Sequence, residues 1–170
     1  TIRKVSSGLP LAREEVQKIA VALRDKGISG SALEQSLRAI GTATAVLGQS
    51  AGAKLQGVVE KSKELGRFMA DPKNFEGSGI SIDDVAGALA RRTGGTVDAA
   101  KAAIKAGSVD LASGLQALDD AVQTKLGGNA AKLNKSFDGL GNQLKNNLAD
   151  IFSGVDVDPL LESLQQLVSL

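Results

Sequence analysis

Apolar residues recur at steps of three and four positions along most of the chain. This spacing places side chains on one face of an α-helix, whereas a half-buried strand would show sustained alternation with a period of two. Such alternation does not occur in this sequence. The pattern therefore predicts an all-α fold: a multi-helix bundle of short and medium helices with a longer C-terminal helical hairpin or arm, and essentially no sheet.

Residues 1–70 are predicted to form an N-terminal region of about three helices. The first should span residues 11–26 and end at Gly27, because glycine readily adopts the left-handed conformation that terminates helices. Its predicted inward face consists of Val16, Ile19, Ala20 and Leu23.

Ser31 and Glu34 have the spacing of a capping box, which predicts that the second helix starts there. The third helix should cover residues 51–70 and end before Asp71-Pro72, because the residue preceding proline disfavours helical geometry. The apolar positions predicted to face inward in these two helices are Leu33, Leu37, Ile40, Leu47, Leu55, Val58, Val59, Leu65 and Phe68.

After a predicted loop at residues 71–80, residues 81–128 indicate a module of short helices. Ser81, Thr96 and Ser108 each follow a glycine-containing break and are predicted N-caps. The helix starting near Val109 shows apolar residues at steps of four, three and four, and it should end at Gly127-Gly128. That seam consists of Leu111, Leu115, Leu118 and Val122.

Residues 129–170 are predicted to form a C-terminal helical arm with a narrow apolar stripe, which indicates a partner along a single seam. The favoured partner is the helix at residues 109–126, reached through a tight turn at Gly127-Gly128, and the alternative is the same arm of a neighbouring molecule. The predicted helix-packing interface consists of Leu133, Phe137, Leu140, Leu144, Leu148 and Phe152.

Composition argues against an enzyme. The chain contains no His and no Cys, and histidine is the commonest general acid or base near neutral pH. The adjacent carboxylates Asp83-Asp84 and Asp119-Asp120 point about 100° apart on a helix and would not share a substrate. We interpret the first pair as helix-start charge and the second as solvated surface. No residue is predicted to be catalytic, cofactor-binding or metal-binding, and no cofactor is expected.

Three further motifs have structural interpretations. A calcium loop starting at Asp156 would need glycine and glutamate where Leu161 and Leu167 stand. Gly77-Ser-Gly79 lacks the spacing of a phosphate-binding loop and is interpreted as a flexible connection. Arg91-Arg92 suits a solvated helix C-terminus, and the net charge of +1 gives no general attraction to nucleic acid.

Residues 39–53 are the most ambiguous segment, because they carry no charged side chain and contain Gly48 and Gly52 in a GxxxG spacing. A membrane span needs about 20 mainly apolar residues, and this segment is shorter and includes Thr, Ser and Gln. We expect close helix packing or a helix break near Gly48. The alternative is a membrane-active or pore-forming segment.

The order of several phrases resembles the central-to-C-terminal portion of tape-measure proteins from tailed phages and prophages. These phrases are REEVQKIAVALRDKG, SALEQSLRAIG, ELGRFMADPKNFEGSG, GSVDLASGLQALDDAV and NNLADIFSGVDVDPLLESLQQLVSL. The resemblance implies a structural virion protein of the phage tail lumen, made in the bacterial cytoplasm, that acts in tail length determination and tail assembly. It also implies contacts with other tail or virion proteins and assembly chaperones, and self-association of the full-length protein. The chain is expected to be one continuous fragment of a larger protein.

Overall fold

The computed structural model describes residue 11, residues 13–69 and residues 71–152, with side-chain surroundings given for residues 11, 14–69 and 71–133. These residues form α1 (Arg13–Asp25), α2 (Gly30–Leu47), α3 (Gln49–Glu64), α4 (Pro72–Phe75), α5 (Ile82–Thr93), α6 (Val97–Ala106) and α7 (Leu111–Phe152). Within these ranges the only sheet-like pairing is an isolated bridge between Arg67 and Asp110. The predicted all-α fold is confirmed.

Helix α1 buries the predicted apolar face, with Ile19 partly covered and Val16, Ala20 and Leu23 inside. Gly27 follows at φ 76°, where glycine avoids the steric cost of the left-handed conformation. The amide of Ile28 then donates to the Leu23 carbonyl at 3.0 Å, which closes the end of α1. The predicted stop at Gly27 is thus confirmed.

Helix α2 begins before the predicted capping box. Its first backbone bond runs from the amide of Leu33 to the carbonyl of Ser29, so Ser31 already lies inside the first turn. Ser29 is the N-cap, and its side chain makes no capping hydrogen bond. The Ser31–Glu34 capping box was therefore a wrong prediction, and so was an inward Leu47, which is 46% exposed at the end of α2.

Helix α3 ends at Glu64 instead of continuing to the proline. The chain turns at Gly66, and the amide of Phe68 donates to the carbonyl of Val109 at 3.0 Å. Phe68 is thereby buried in the core outside any helix. The prediction of an inward Leu65 was wrong, because Leu65 follows the end of α3 and is exposed. Asp71-Pro72 starts α4: the Asp71 carboxylate accepts from the Lys73 amide, and proline occupies the first turn.

The N-terminal caps of α5 and α6 are as predicted. Ser81 accepts from the amide of Asp84, whose carboxylate accepts in return from the Ser81 amide. Thr96 accepts from the Ala99 amide at 3.2 Å. The prediction for Ser108 was wrong, because its hydroxyl donates to the Ala103 carbonyl at the end of α6.

Helix α7 is capped by Asp110, whose carboxylate accepts from the Ser113 amide at 2.9 Å. It runs without a break through Gly127 and Gly128 for 42 residues. The predicted helix end and antiparallel hairpin at these glycines are therefore wrong. A glycine inside a helix costs only about 1 kcal/mol relative to alanine, and Leu126 and Ala130 are buried on either side of the pair.

Two groups of helices pack on α7. Helix α2 packs against α1, α3 and α7, whereas α5 packs against α6 and α7. The buried residues on both sides of residues 71–80 belong to a single core, with Phe75 and Ile80 contributed by that connection itself. Helix α7 is thus the common support on which the α1–α3 unit and the α5–α6 pair rest.

Candidate functional site

The most distinctive polar group in the core is the carboxylate of Asp119, which is only 3% exposed where α7 packs against α2. Arg38 of α2 approaches it with an Nε to Oδ2 distance of 3.5 Å. Gln123 lies one helical turn further along α7 and donates from Nε2 to Asp119 Oδ1 and to Thr42 Oγ1, both at 3.1 Å. We call these four residues the Asp119 cluster. It connects α2 and α7 by polar contacts inside an otherwise apolar interface.

Burial raises the pKa of Asp119 from 3.8 to about 6, because removal from water disfavours the charged form. The positive charge of Arg38 and the hydrogen bond from Gln123 lower this pKa and partly offset the burial. The nearby charges of Asp120 and Glu34 raise it further. Near neutral pH the α2–α7 interface therefore contains a carboxylate whose ionised form is incompletely compensated.

Our interpretation of Asp119-Asp120 as solvated surface was wrong for Asp119. Its position falls between Leu115 and Val122 in the apolar seam, four residues after the first and three before the second. That spacing places it on the buried face of α7, and this signal could have identified it. Asp120, one position on, is half-exposed and binds Arg92 of α5 at 2.8 Å.

Asp83-Asp84 lie in the first turn of α5, which confirms their interpretation as helix-start charge. Partial burial raises the pKa of Asp84, but hydrogen bonds from Lys125 and Ser81 outweigh it, so the pKa is lowered overall. Lys125 of α7 contacts Asp84 at 2.7 Å, and Lys101 of α6 contacts Asp83 at 2.7 Å. These carboxylates hold neighbouring helices together at the surface.

A shallow groove of about 230 Å³ lies where α1, α2 and α3 meet. Its polar rim includes Glu15 and Gln49, which are joined by a hydrogen bond of 2.8 Å. Ile40 and Gly52 contribute to its lining. The volume lies below the roughly 300–1,000 Å³ of most small-molecule sites.

The ambiguous segment at residues 39–53 contributes to the core. Gly48, at φ 96°, separates α2 from α3 within it. Gly52 approaches Thr44 so closely that an added Cβ would overlap the threonine hydroxyl. The expected helix break and close packing are both confirmed. In the part of the chain that the structure describes, no helix combines the length and apolar character needed to cross a bilayer.

Only the first residue of the predicted interface stripe has described side-chain surroundings: Leu133, which is half-buried on α7. The side chains of Phe137, Leu140, Leu144, Leu148 and Phe152 lie outside the described residues, although the α7 backbone runs through all five positions. Asp156 and the rest of the rejected calcium loop also lie outside them. The interface therefore stays a prediction.

No protein-family model, curated protein or solved structure matches the chain significantly. Among the described residues, no group of three or more acidic side chains is arranged to hold a metal ion.

Proposed function

We propose that this chain is a non-catalytic structural module of a phage virion, part of a protein resembling tail tape-measure proteins, that acts through helix–helix contacts. One observation carries the proposal: a helix of 42 residues packs against α2, α3 and α5 and continues beyond them in sequence. At 1.5 Å per residue it is about 63 Å long, compared with about 27 Å for α2. The length suits a scaffold element that joins one molecule to the next.

The stripe on α7 supports the same proposal. Its apolar residues are spaced by three or four positions from Leu133 to Phe152, which in a helix places them along one side. Exposed to water, such a stripe would form an apolar patch larger than soluble monomers usually tolerate. We propose that it is covered by other tail or virion proteins, by an assembly chaperone, or by the same helix in another copy of the parent protein.

The proposal is tested in the parent gene by one charged substitution on the stripe and one beside it. Leu144→Asp places a carboxylate in the proposed interface, whereas Lys145→Asp introduces the same side chain about 100° around the helix. With L144D we expect few complete tails in electron micrographs of particles, and with K145D normal tails. Peptides of the chain should also be found by mass spectrometry in purified particles.

Several results would contradict this role. One is the absence of the parent protein's peptides from purified virions. Another is a parent gene that is not flanked by tail-tube and tail-tip genes. A third is an equal yield of complete tails for L144D and K145D. Substrate turnover that disappears on changing a single Asp or Glu would contradict the non-catalytic part of the proposal.

A membrane-active role for residues 39–53 is the less favoured hypothesis, because the apolar side chains of this segment lie in the core. Ala39, Ile40 and Ala43 would have to leave their buried positions before they could enter a bilayer. Dye-loaded liposomes mixed with micromolar protein test this idea directly. Absence of leakage while the helical circular dichroism spectrum is retained would count against it, and leakage would favour it over the structural role.

A further inference from the structure

We propose that the Asp119 cluster is a proton-sensitive contact that weakens the docking of the α1–α3 unit on α7 when Asp119 is ionised and strengthens it when Asp119 is protonated. This inference goes beyond the proposed structural role. It concerns how firmly the two parts of the bundle are joined.

The carboxylate of Asp119 is buried where α7 packs against α2, so a change in its charge acts directly on the attachment of α2. Asp119 lies within the α2–α7 contact and is shielded from solvent. Among the described contacts, its carboxylate accepts a hydrogen bond only from the side-chain amide of Gln123. The Nε atom of Arg38 lies 3.5 Å from Oδ2 of Asp119, and the Arg38 side chain is 47% exposed. Water therefore weakens the attraction between the two charges. The charged form therefore stays poorly compensated, in agreement with the raised pKa.

The charges around Asp119 also affect how favourable its ionised form is. Arg38 and Glu34 act on it from α2, and Asp120 acts from its own helix. Asp120 is in turn held by Arg92 of α5. Two cations, Arg38 and Arg92, thus offset Glu34 and Asp120, and ionisation of Asp119 adds a third negative charge to this part of the interface.

The contact between α5 and α7 is built differently. Its ion pairs, Arg92 with Asp120 and Lys125 with Asp84, lie at the surface. The pKa of Asp84 is lowered, after the opposing effect of partial burial, by its hydrogen bonds from Lys125 and Ser81. The Lys125 pair consequently persists through mild acid. Protonation in this range should act on the attachment of α2 and leave that of α5 unchanged.

Hydrogen–deuterium exchange of the whole chain tests the inference, with protection factors corrected for intrinsic exchange at each pH. Between about pH 7.5 and about pH 5 we expect α2 amides to become roughly tenfold better protected, because the folded state binds the proton more tightly than the open state. Amides of α5 and α6 that exchange through local opening of these two helices should change less than about twofold, since their contacts keep the same charges.

Two variants are matched to this measurement. Asp119→Asn keeps the shape and the acceptor for Gln123 but cannot ionise, so α2 protection should lose its pH dependence. Asp120→Asn removes the neighbouring carboxylate and should retain that dependence. A retained dependence in D119N, or its loss in D120N alone, would overturn the inference.

Two further results would also overturn it. One is an equal change in α2 and in the α5 amides that exchange by local opening, which would show that protonation does not act specifically on the attachment of α2. The other is a carboxyl ¹³C titration of Asp119 in the unmodified protein with its midpoint at the ordinary value of 3.8. This titration remains decisive if either variant folds poorly, because it requires no substitution.

Discussion

The ring of Phe68 lies directly on Gly114 of α7, so close that a Cβ added at Gly114 would overlap the Cβ, Cγ and Cδ2 atoms of the phenylalanine. Phe68 is fully buried, and its amide is tied to the carbonyl of Val109 just before α7 begins. The turn after α3 and the first part of α7 are thus fitted to each other, and only a residue without a side chain suits position 114.

Gly114→Ala should destabilise the protein by about 2 kcal/mol or more, because overpacking at Phe68 exceeds the gain in helix propensity. Gly128→Ala is the matched control, since Gly128 lies in the same helix with nothing near its added Cβ. G128A should stabilise the protein by up to about 1 kcal/mol. Urea denaturation measures both. A destabilising G128A would contradict the continuous helix through Gly127-Gly128.

The stability of the whole chain should depend on pH through Asp119. Its folded pKa of about 6 lies above its ordinary value of 3.8, so the folded state binds the proton more tightly, and stability rises as pH falls from 6 towards 4. Asp119→Asn should increase the free energy of unfolding at neutral pH by up to about 3 kcal/mol and flatten the profile in that window. Parallel profiles for D119N and the unmodified chain would refute this prediction.

Below about pH 4 the trend should reverse. The pKa of Asp110 is lowered, chiefly by hydrogen bonds from Ser113, and that of Asp84 is also lowered. The stability these two carboxylates contribute is present above their ordinary pKa and is lost as pH falls through their folded values. Urea midpoints measured at several pH values should therefore pass through a maximum in mild acid, and a monotonic increase down to strong acid would be inconsistent with it.

Two buried serines provide a test of hydrogen-bond satisfaction. Among the residues that the structure describes, the buried hydroxyl of Ser36 has no hydrogen-bond partner. The hydroxyl of Ser62 accepts from the Met69 amide at 3.0 Å and contacts the Met69 carbonyl at 3.3 Å. Ser36→Ala should be neutral or stabilising by about 1 kcal/mol, and Ser62→Ala should cost about 1–3 kcal/mol by leaving a backbone amide unpaired. Thermal melts compare the pair. A larger loss for S36A would show that its hydroxyl has a partner.

The structure contains the predicted N-cap at Ser81 but not the one predicted at Ser31. Ser81→Ala should cost about 1 kcal/mol, because it leaves the Asp84 amide without its acceptor. Ser31→Ala should cost close to nothing, since Ser31 lies inside the first turn of α2 and makes no cap. Equal losses of unfolding free energy for S81A and S31A in chemical denaturation would instead support the predicted Ser31–Glu34 capping box.

The sequence alone determined the helical class, the inward face of α1, the inward positions within α2 and α3 other than Leu47, and the caps at Ser81 and Thr96. These features depend on the spacing of apolar residues and on side chains that bond to amides a few positions away, so they are local. The position of Asp119 within an apolar seam was also visible in the sequence, although we interpreted the adjacent pair Asp119-Asp120 as solvated surface.

The tertiary structure decided what depends on distant partners. Helix α3 ends at Glu64 because Phe68 packs on Gly114 and bonds to Val109, residues far along the chain. Helix α7 continues through Gly127-Gly128 because burial of Leu126 and Ala130 outweighs the small helix penalty of glycine. The pKa of Asp119 likewise depends on α2 covering it. The course of α7 and the pKa of Asp119 are set by contacts between distant segments, which the local sequence pattern does not specify, whereas Gly66, at φ 66°, is a local signal for the end of α3.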